Sequence, residues 1–121
     1  MHTDAIKNNL IPENVSIKHQ SITYANEADL LNVALFGKTA KEWKTENPKA
    51  KGNLRDNATI TQLTVLANLE NLNAQFINDG LTQKERLIKL NTIAIEQLNI
   101  FQNNSNLLNL ERSKNKKLLN K

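Results

Sequence analysis

The sequence predicts an all-α fold: a compact bundle of four to five helices, with a long antiparallel helix hairpin at its centre and a basic C-terminal tail. Three observations predict it. Breakers are scarce, with three Gly and two Pro in 121 residues, and they fall where helices should begin or end. Three Thr residues each stand three positions before a Glu or Gln: Thr39 before Glu42, Thr59 before Gln62 and Thr82 before Glu85. In that spacing the hydroxyl accepts from a first-turn N–H while the acid or amide reaches back to the N–H of the cap. After the last two, apolar residues recur at three- and four-residue steps (i, i+4, i+7, i+11 after Thr59; i, i+3, i+7, i+11, i+14 after Thr82), the period of an amphipathic helix.

Taken in order, Thr3 to Leu10 forms a short opening segment that Pro12 closes. Residues 13–24 carry the β-prone Val15, Ile17, Ile22, Thr23 and Tyr24, but no hairpin partner follows, so a loop with one helical turn is expected. Asn26 caps the next helix, with Asp29 three residues on; Leu30, Leu31, Ala34 and Leu35 form its apolar side and Gly37 its left-handed end. Thr39 opens a short helix carrying Trp43, and Asn47-Pro48 stops it, because a residue before Pro is pushed out of the α region. Thr59 opens a long helix to about Asn78, with Gly80 past its end, and Thr82 opens another to about Gln102. Val65, Leu69, Leu72 and Phe76 stripe the first; Leu87, Leu90, Ala94, Leu98 and Phe101 stripe the second. Leu63, Leu66, Ile77, Ile88, Ile93 and Ile95 widen both stripes, which predicts burial on more than one side. The short Asp79-Gly80-Leu81 connection makes the pair an antiparallel hairpin. Beyond it, Leu107, Leu108, Leu110, Leu118 and Leu119 lack a helical period. A helical domain over 1–103 and a frayed or disordered Asn/Lys-rich tail over 104–121 are expected.

Length and charge bound the function. A chain of 121 residues makes one domain able to bury a real core without staples. With no Cys there are no disulfides, thiolate metal sites or cysteine nucleophiles. The net charge of +4 is all in residues 111–121, where Arg112, Lys114, Lys116, Lys117 and Lys121 face Glu111 alone; residues 1–110 balance 11 basic against 11 acidic side chains. One local excess lies in 38–55, where Lys38, Lys41, Lys44, Lys49, Lys51 and Arg55 face Glu42 and Glu46. Asn occurs 20 times, Lys 13 and Ile 10 against three Arg, a bias that A/T-rich codons account for. No leader or membrane-length apolar run is visible, so a cytoplasmic protein is expected.

The chemistry of the sequence is sparse. No phosphate loop, metal-binding helix motif, nucleophile elbow or calcium loop occurs, so no enzyme, cofactor or metal is expected. His2 and His19 fall in the irregular N-terminal part and read as solvated; Glu42 and Glu46 share a helix face among lysines and read likewise. Trp43, the single Trp, reads as the anchor of its short helix. The connector Gly52-Asn53-Leu54-Arg55-Asp56 reads either as a binding loop or as a clasp, the favoured form, in which Asp56 and Arg55 tie the loop to helix ends and Leu54 plugs the core. Asn68, Asn73 and Asn91 border the apolar stripes. Their amides need partners if buried, which predicts a polar network among them or with the connector.

Five blocks carry a family resemblance: HTDAIKNNLIP (2–12), EADLLNVALFGKTAKEW (27–43), GNLRD (52–56), NLENLNA (68–74) and GLTQKERL (80–87). In this order and spacing they resemble the region that follows the DNA-binding domain in bacterial and phage KilA-N domain-containing proteins. The likeness spans about residues 2–101. The KilA-N domain itself would precede residue 1, so its DNA-contacting residues map to no position here. Asn57 stands where the family commonly has an aromatic residue. The resemblance implies the C-terminal portion, or a free-standing relative, of such a protein: a non-enzymatic accessory domain that contacts itself or another protein, with DNA met mainly through the upstream domain and no membrane partner. The alternative is direct nonspecific nucleic-acid binding through the basic tail and the Lys38–Arg55 segment, with Lys49 and Lys51 included.

Overall fold

The structure, a computed structural model, describes the backbone of residues 13–119 and the side chains of residues 13–104. The expected opening segment Thr3–Leu10, with His2, lies outside the described residues, as does Lys121. Among the described residues five α-helices follow one another: α1 (Ile17–Gln20), α2 (Glu27–Phe36), α3 (Ala40–Glu46), α4 (Ile60–Asn78) and α5 (Gln83–Leu119), with a 3-10 turn at Arg55–Asn57 before α4. Among the described residues there is no strand. The fold is the all-α bundle that the periodicity predicts.

All three capping boxes form. Thr39 and Glu42, and Thr59 and Gln62, exchange their reciprocal bonds at the heads of α3 and α4. Thr82 and Glu85 do the same before α5, with Thr82 N–H on Glu85 Oε1 at 3.0 Å and Glu85 N–H on Thr82 Oγ1 at 3.2 Å. Asn26 caps α2 by accepting from the Asp29 N–H at 2.8 Å, and Gly37 ends that helix at φ +77°. The α4–α5 turn closes with the Gly80 N–H on Ile77 O and the Leu81 N–H on Phe76 O, both at 3.0 Å, the paired bonds of a Schellman motif.

The hairpin is not the innermost part of the molecule. In α2, Leu30 to Leu35 are six consecutive buried residues, and at 100° per residue these cover every side of the helix. α2 packs against both α4 and α5, which pack against each other, while α1 rests on α5. Val65, Leu66 and Leu69 of α4 and Leu87, Leu90, Ala94 and Leu98 of α5 complete one core with Val15 and Tyr24. Leu72, Phe76, Ile93 and Phe101 pack on its margin. The widened stripes do not mean burial on two sides. Leu63, Ile77 and Ile88 are exposed, because α2 fills only the inner face of the hairpin.

The sequence places the end of α5 near Gln102, with a frayed tail after it. The helical backbone instead runs on to Leu119. No Gly or Pro follows Gly80, and a missing apolar period removes a buried face from a helix without breaking its backbone. Roughly 25 Å of helix therefore extends past Gln102. Among the described residues, no helix is long and apolar enough to cross a membrane.

Candidate functional site

Trp43 is fully buried, as an anchor should be. Its indole N–H and the Asn47 Oδ1 are buried with no hydrogen-bond partner among the described residues. The connector behind α3 is tied to α2 by Arg55, whereas Asp56 closes the connector on itself and reaches no helix end. Asn53 and Asp56 bond reciprocally, each backbone N–H to the other's side-chain oxygen at 2.9 Å. The Asn57 amide donates to Lys51 O and Asn53 O, both at 2.9 Å. Arg55 reaches α2, with Nε on Asn32 Oδ1 at 3.0 Å and Nη2 on Ala28 O at 3.3 Å, and Leu54 is fully buried. Gly52 makes the close approach workable. It sits at φ +78°, where a Cβ would lie 2.7 Å from Asp56 Oδ2.

The three asparagines do not form the expected network. Asn68 is exposed and donates to Gln97 Oε1 at 3.2 Å. Asn91 is buried and serves backbone. Its Oδ1 accepts from the Val15 N–H at 2.8 Å, and its Nδ2 donates to Ala34 O at 3.0 Å and Glu13 O at 3.2 Å. Asn73 joins a separate ionic cluster. There it donates to Glu27 Oε1 at 2.8 Å and accepts from Arg86 Nη1 at 2.9 Å. Arg86 also engages the Glu27 carboxylate and donates through Nε to Leu81 O at 3.2 Å. Gln83 donates to Glu27 Oε2 at 3.4 Å and brackets the Tyr24 backbone, accepting from its N–H and donating to its carbonyl. Partial burial works to raise the Glu27 carboxyl, but the bonds from Arg86 and Asn73, the Arg86 charge and the Gln83 bond hold it below its ordinary value. The three asparagines thus have separate partners: Gln97 for Asn68, the Glu27–Arg86 pair for Asn73, and backbone groups for Asn91.

His19 is not solvated, contrary to the expectation from its position. It is 5% exposed, with Nδ1 at 2.8 Å from the Tyr24 hydroxyl and Nε2 at 3.1 Å from Glu42 Oε1. Glu42 is half-buried, with its side chain 34% exposed. Burial pushes its carboxyl up, while the Thr39 backbone N–H, His19, the Thr39 hydroxyl and Lys18 together hold it below the usual range. Tyr24 is pushed up to about 12 by burial and by the negative charges of Glu42 and Asp29. A phenol this hard to ionise is a poor nucleophile, and Glu42 is committed to its cap. The Tyr–His–Glu chain joins α1, the segment after it and α3.

The remaining predicted residues divide by their surroundings. Within 38–55, Lys38 pairs with Glu46 at 2.6 Å, Lys44 bonds Ala50 O, and Arg55 is held by α2. Lys41, Lys49 and Lys51 are exposed. Arg112, Lys114, Lys116 and Lys117 lie on the helical backbone of α5. Among the described residues no three His, Cys, Asp or Glu side chains could hold a metal ion together.

Sequence reasoning missed Arg86, Glu27 and Asn32, and a signal existed for each. Arg86 falls one turn before Leu90 within the apolar stripe, and Asn32 interrupts the run Leu30-Leu31-Asn32-Val33. Glu27 follows an N-cap, where a carboxylate belongs. No protein-family model, curated protein or solved structure matches the chain.

Proposed function

We propose that this chain is a non-enzymatic interaction domain, of the kind that accompanies the DNA-binding domain of bacterial and phage KilA-N-type proteins, and that it works in the cytoplasm by contacting a second copy of itself or another protein. The single observation that carries the reading is α5. Among the residues whose side chains are described, Phe101 is the last of α5 that packs on the core, and the helical backbone continues to Leu119. Roughly 25 Å of helix beyond Gln102 gives a partner helix a length of surface to dock on. Electroneutrality over residues 1–110 supports protein contact over phosphate contact for the body of the domain. So does the internal use of Arg55, Arg86, His19 and Glu42. The polar groups that could form a site are consumed in holding elements together. The family assignment rests on the five sequence blocks alone.

Light scattering across a concentration series, on the full chain and on a chain ending at Gln102, tests the proposal. The full chain is expected to associate and the shortened one to stay monomeric. A full chain that remains strictly monomeric removes self-association and leaves only a different protein as partner.

A second reading, nonspecific nucleic-acid binding, is favoured by the five cations of residues 111–121, four of which a helical backbone carries. Five phosphate contacts would give a log–log salt slope of roughly −4 to −5. Binding lost on deleting 111–121 supports this reading. Binding that survives the deletion shifts the site to Lys41, Lys49 and Lys51.

A further inference from the structure

α4 keeps one face that the bundle does not use. Ile60, Leu63, Ala67, Glu70, Ala74 and Ile77 recur at alternating steps of three and four residues, the a and d spacing of a helix that pairs with another helix. All six are exposed, Ile60 at 84%, Ile77 at 46% and Leu63 at 40%. Glu70 is the single charged residue of α4, and among the described residues no cation pairs with it. Two such faces laid on each other would hold two carboxylates and no cation. What fits this face is a helix of equal length that brings apolar residues to Leu63 and Ala74 and a cation to Glu70.

The end of α5 has those properties. From Ile60 to Ile77 and from Gln102 to Leu119 a helix advances by the same roughly 25 Å. Leu107, Glu111, Lys114 and Leu118 follow one another at the same three- and four-residue steps, and the excess cations of the chain lie in residues 111–121. This segment does not reach its own α4. The two helices run antiparallel and Asn68 donates to Gln97, so Ile60, eight residues before Asn68, stands level with residue 105, eight after Gln97. Everything later projects beyond the head of α4, and no Gly or Pro lets the helix turn back.

We propose, resting on the reading that the chain contacts a second copy of itself, that the extension of α5 docks on α4 of that copy in a reciprocal two-fold dimer. A two-fold axis across the helices at the level of Ile60 reverses α5, so the extension of one copy runs parallel to α4 of the other. Residue 107 of one copy then stands beside Leu63 of the other, 114 beside Glu70 and 118 beside Ala74. Glu111, the acid of the segment, falls beside Ala67. The contact forms twice, and each copy covers the face that the other leaves open.

Mixing Ala74→Cys chains with Leu118→Cys chains tests the pairing, since the chain has no Cys of its own. Mild oxidation should link the two variants to each other at least roughly tenfold faster than either links to itself, because the two copies of either position lie roughly 40 Å apart in this dimer. Glu70→Lys and Lys114→Glu turn two exposed ion pairs into two like-charge contacts. Each should weaken dimerisation of the full chain roughly tenfold, measured by sedimentation, and the double variant should recover it. Unchanged dimerisation in both single variants with no mixed cross-link overturns the pairing while self-association stands. Leu118→Cys chains that link to themselves as fast as to Ala74→Cys chains set the extensions side by side and overturn it too. A full chain that is monomeric at every concentration overturns both this pairing and self-association.

Discussion

Arg86 offers the sharpest test of how the bundle is held. Arg86→Met keeps the apolar stem and removes the guanidinium, which bonds Glu27, Asn73 Oδ1 at 2.9 Å and Leu81 O at 3.2 Å. Stripping one partner from a fully buried ion pair costs about 3–5 kcal/mol. Here the Arg86 side chain is 8% exposed but that of Glu27 is 40%, so water can resolvate the abandoned carboxylate and the full figure does not apply. Asn73 retains its bond to Glu27, leaving the Leu81 carbonyl and one Asn73 acceptor as the main losses. A destabilisation of about 2–3 kcal/mol follows. Urea denaturation should show it as a lower midpoint at unchanged slope. A double-mutant cycle with Glu27→Gln should return a coupling of about 1 kcal/mol. A loss below about 0.5 kcal/mol, within the range of an ordinary surface substitution, would refute the view that this cluster ties α2 to the hairpin.

Three further outcomes follow from the geometry. Gly52→Ala meets Asp56 at 2.7 Å and a positive φ, whereas Gly37→Ala meets a positive φ with nothing within 4 Å; thermal melts should show the first costing more than the ~1 kcal/mol expected of the second. Asn91→Leu strands the Val15 N–H and two carbonyls, and chemical denaturation should register a loss of about 2–4 kcal/mol. Glu27 and Glu42 are both held below the ordinary 4.5. Their stabilisation is full above that value and is lost as pH falls through the lower folded values, so an acid titration by circular dichroism should show stability declining below about pH 4.5, less steeply in E27Q.

Local signals were fully legible. Thr39, Thr59 and Thr82 announce helix starts because a capping box is closed by residues three apart, and sequence contains that spacing whole. Leu54 and Trp43 were legible as plugs because each is a large apolar residue in a polar stretch. What stayed hidden depends on contacts far along the chain. Asn91 meets Glu13 from 78 residues away and Arg86 meets Glu27 from 59, and no periodicity records which amide faces which backbone. His19 is hidden for a related reason: no sequence pattern links it to Tyr24 and Glu42, and only the path of the chain from α1 through α2 to α3 brings them together. The end of α5 was misplaced because apolar period reports burial, while the backbone obeys propensity and the lack of breakers.

The three partners of Asn91 set an order of events on the nascent chain. Glu13, Val15 and Ala34 leave the ribosome long before Asn91 does, so until α5 is made the Val15 N–H can only be hydrated and the N-terminal segment cannot seat. The domain therefore closes only once α5 has been made. A helix translated about 70 residues later is what lets the first described stretch dock.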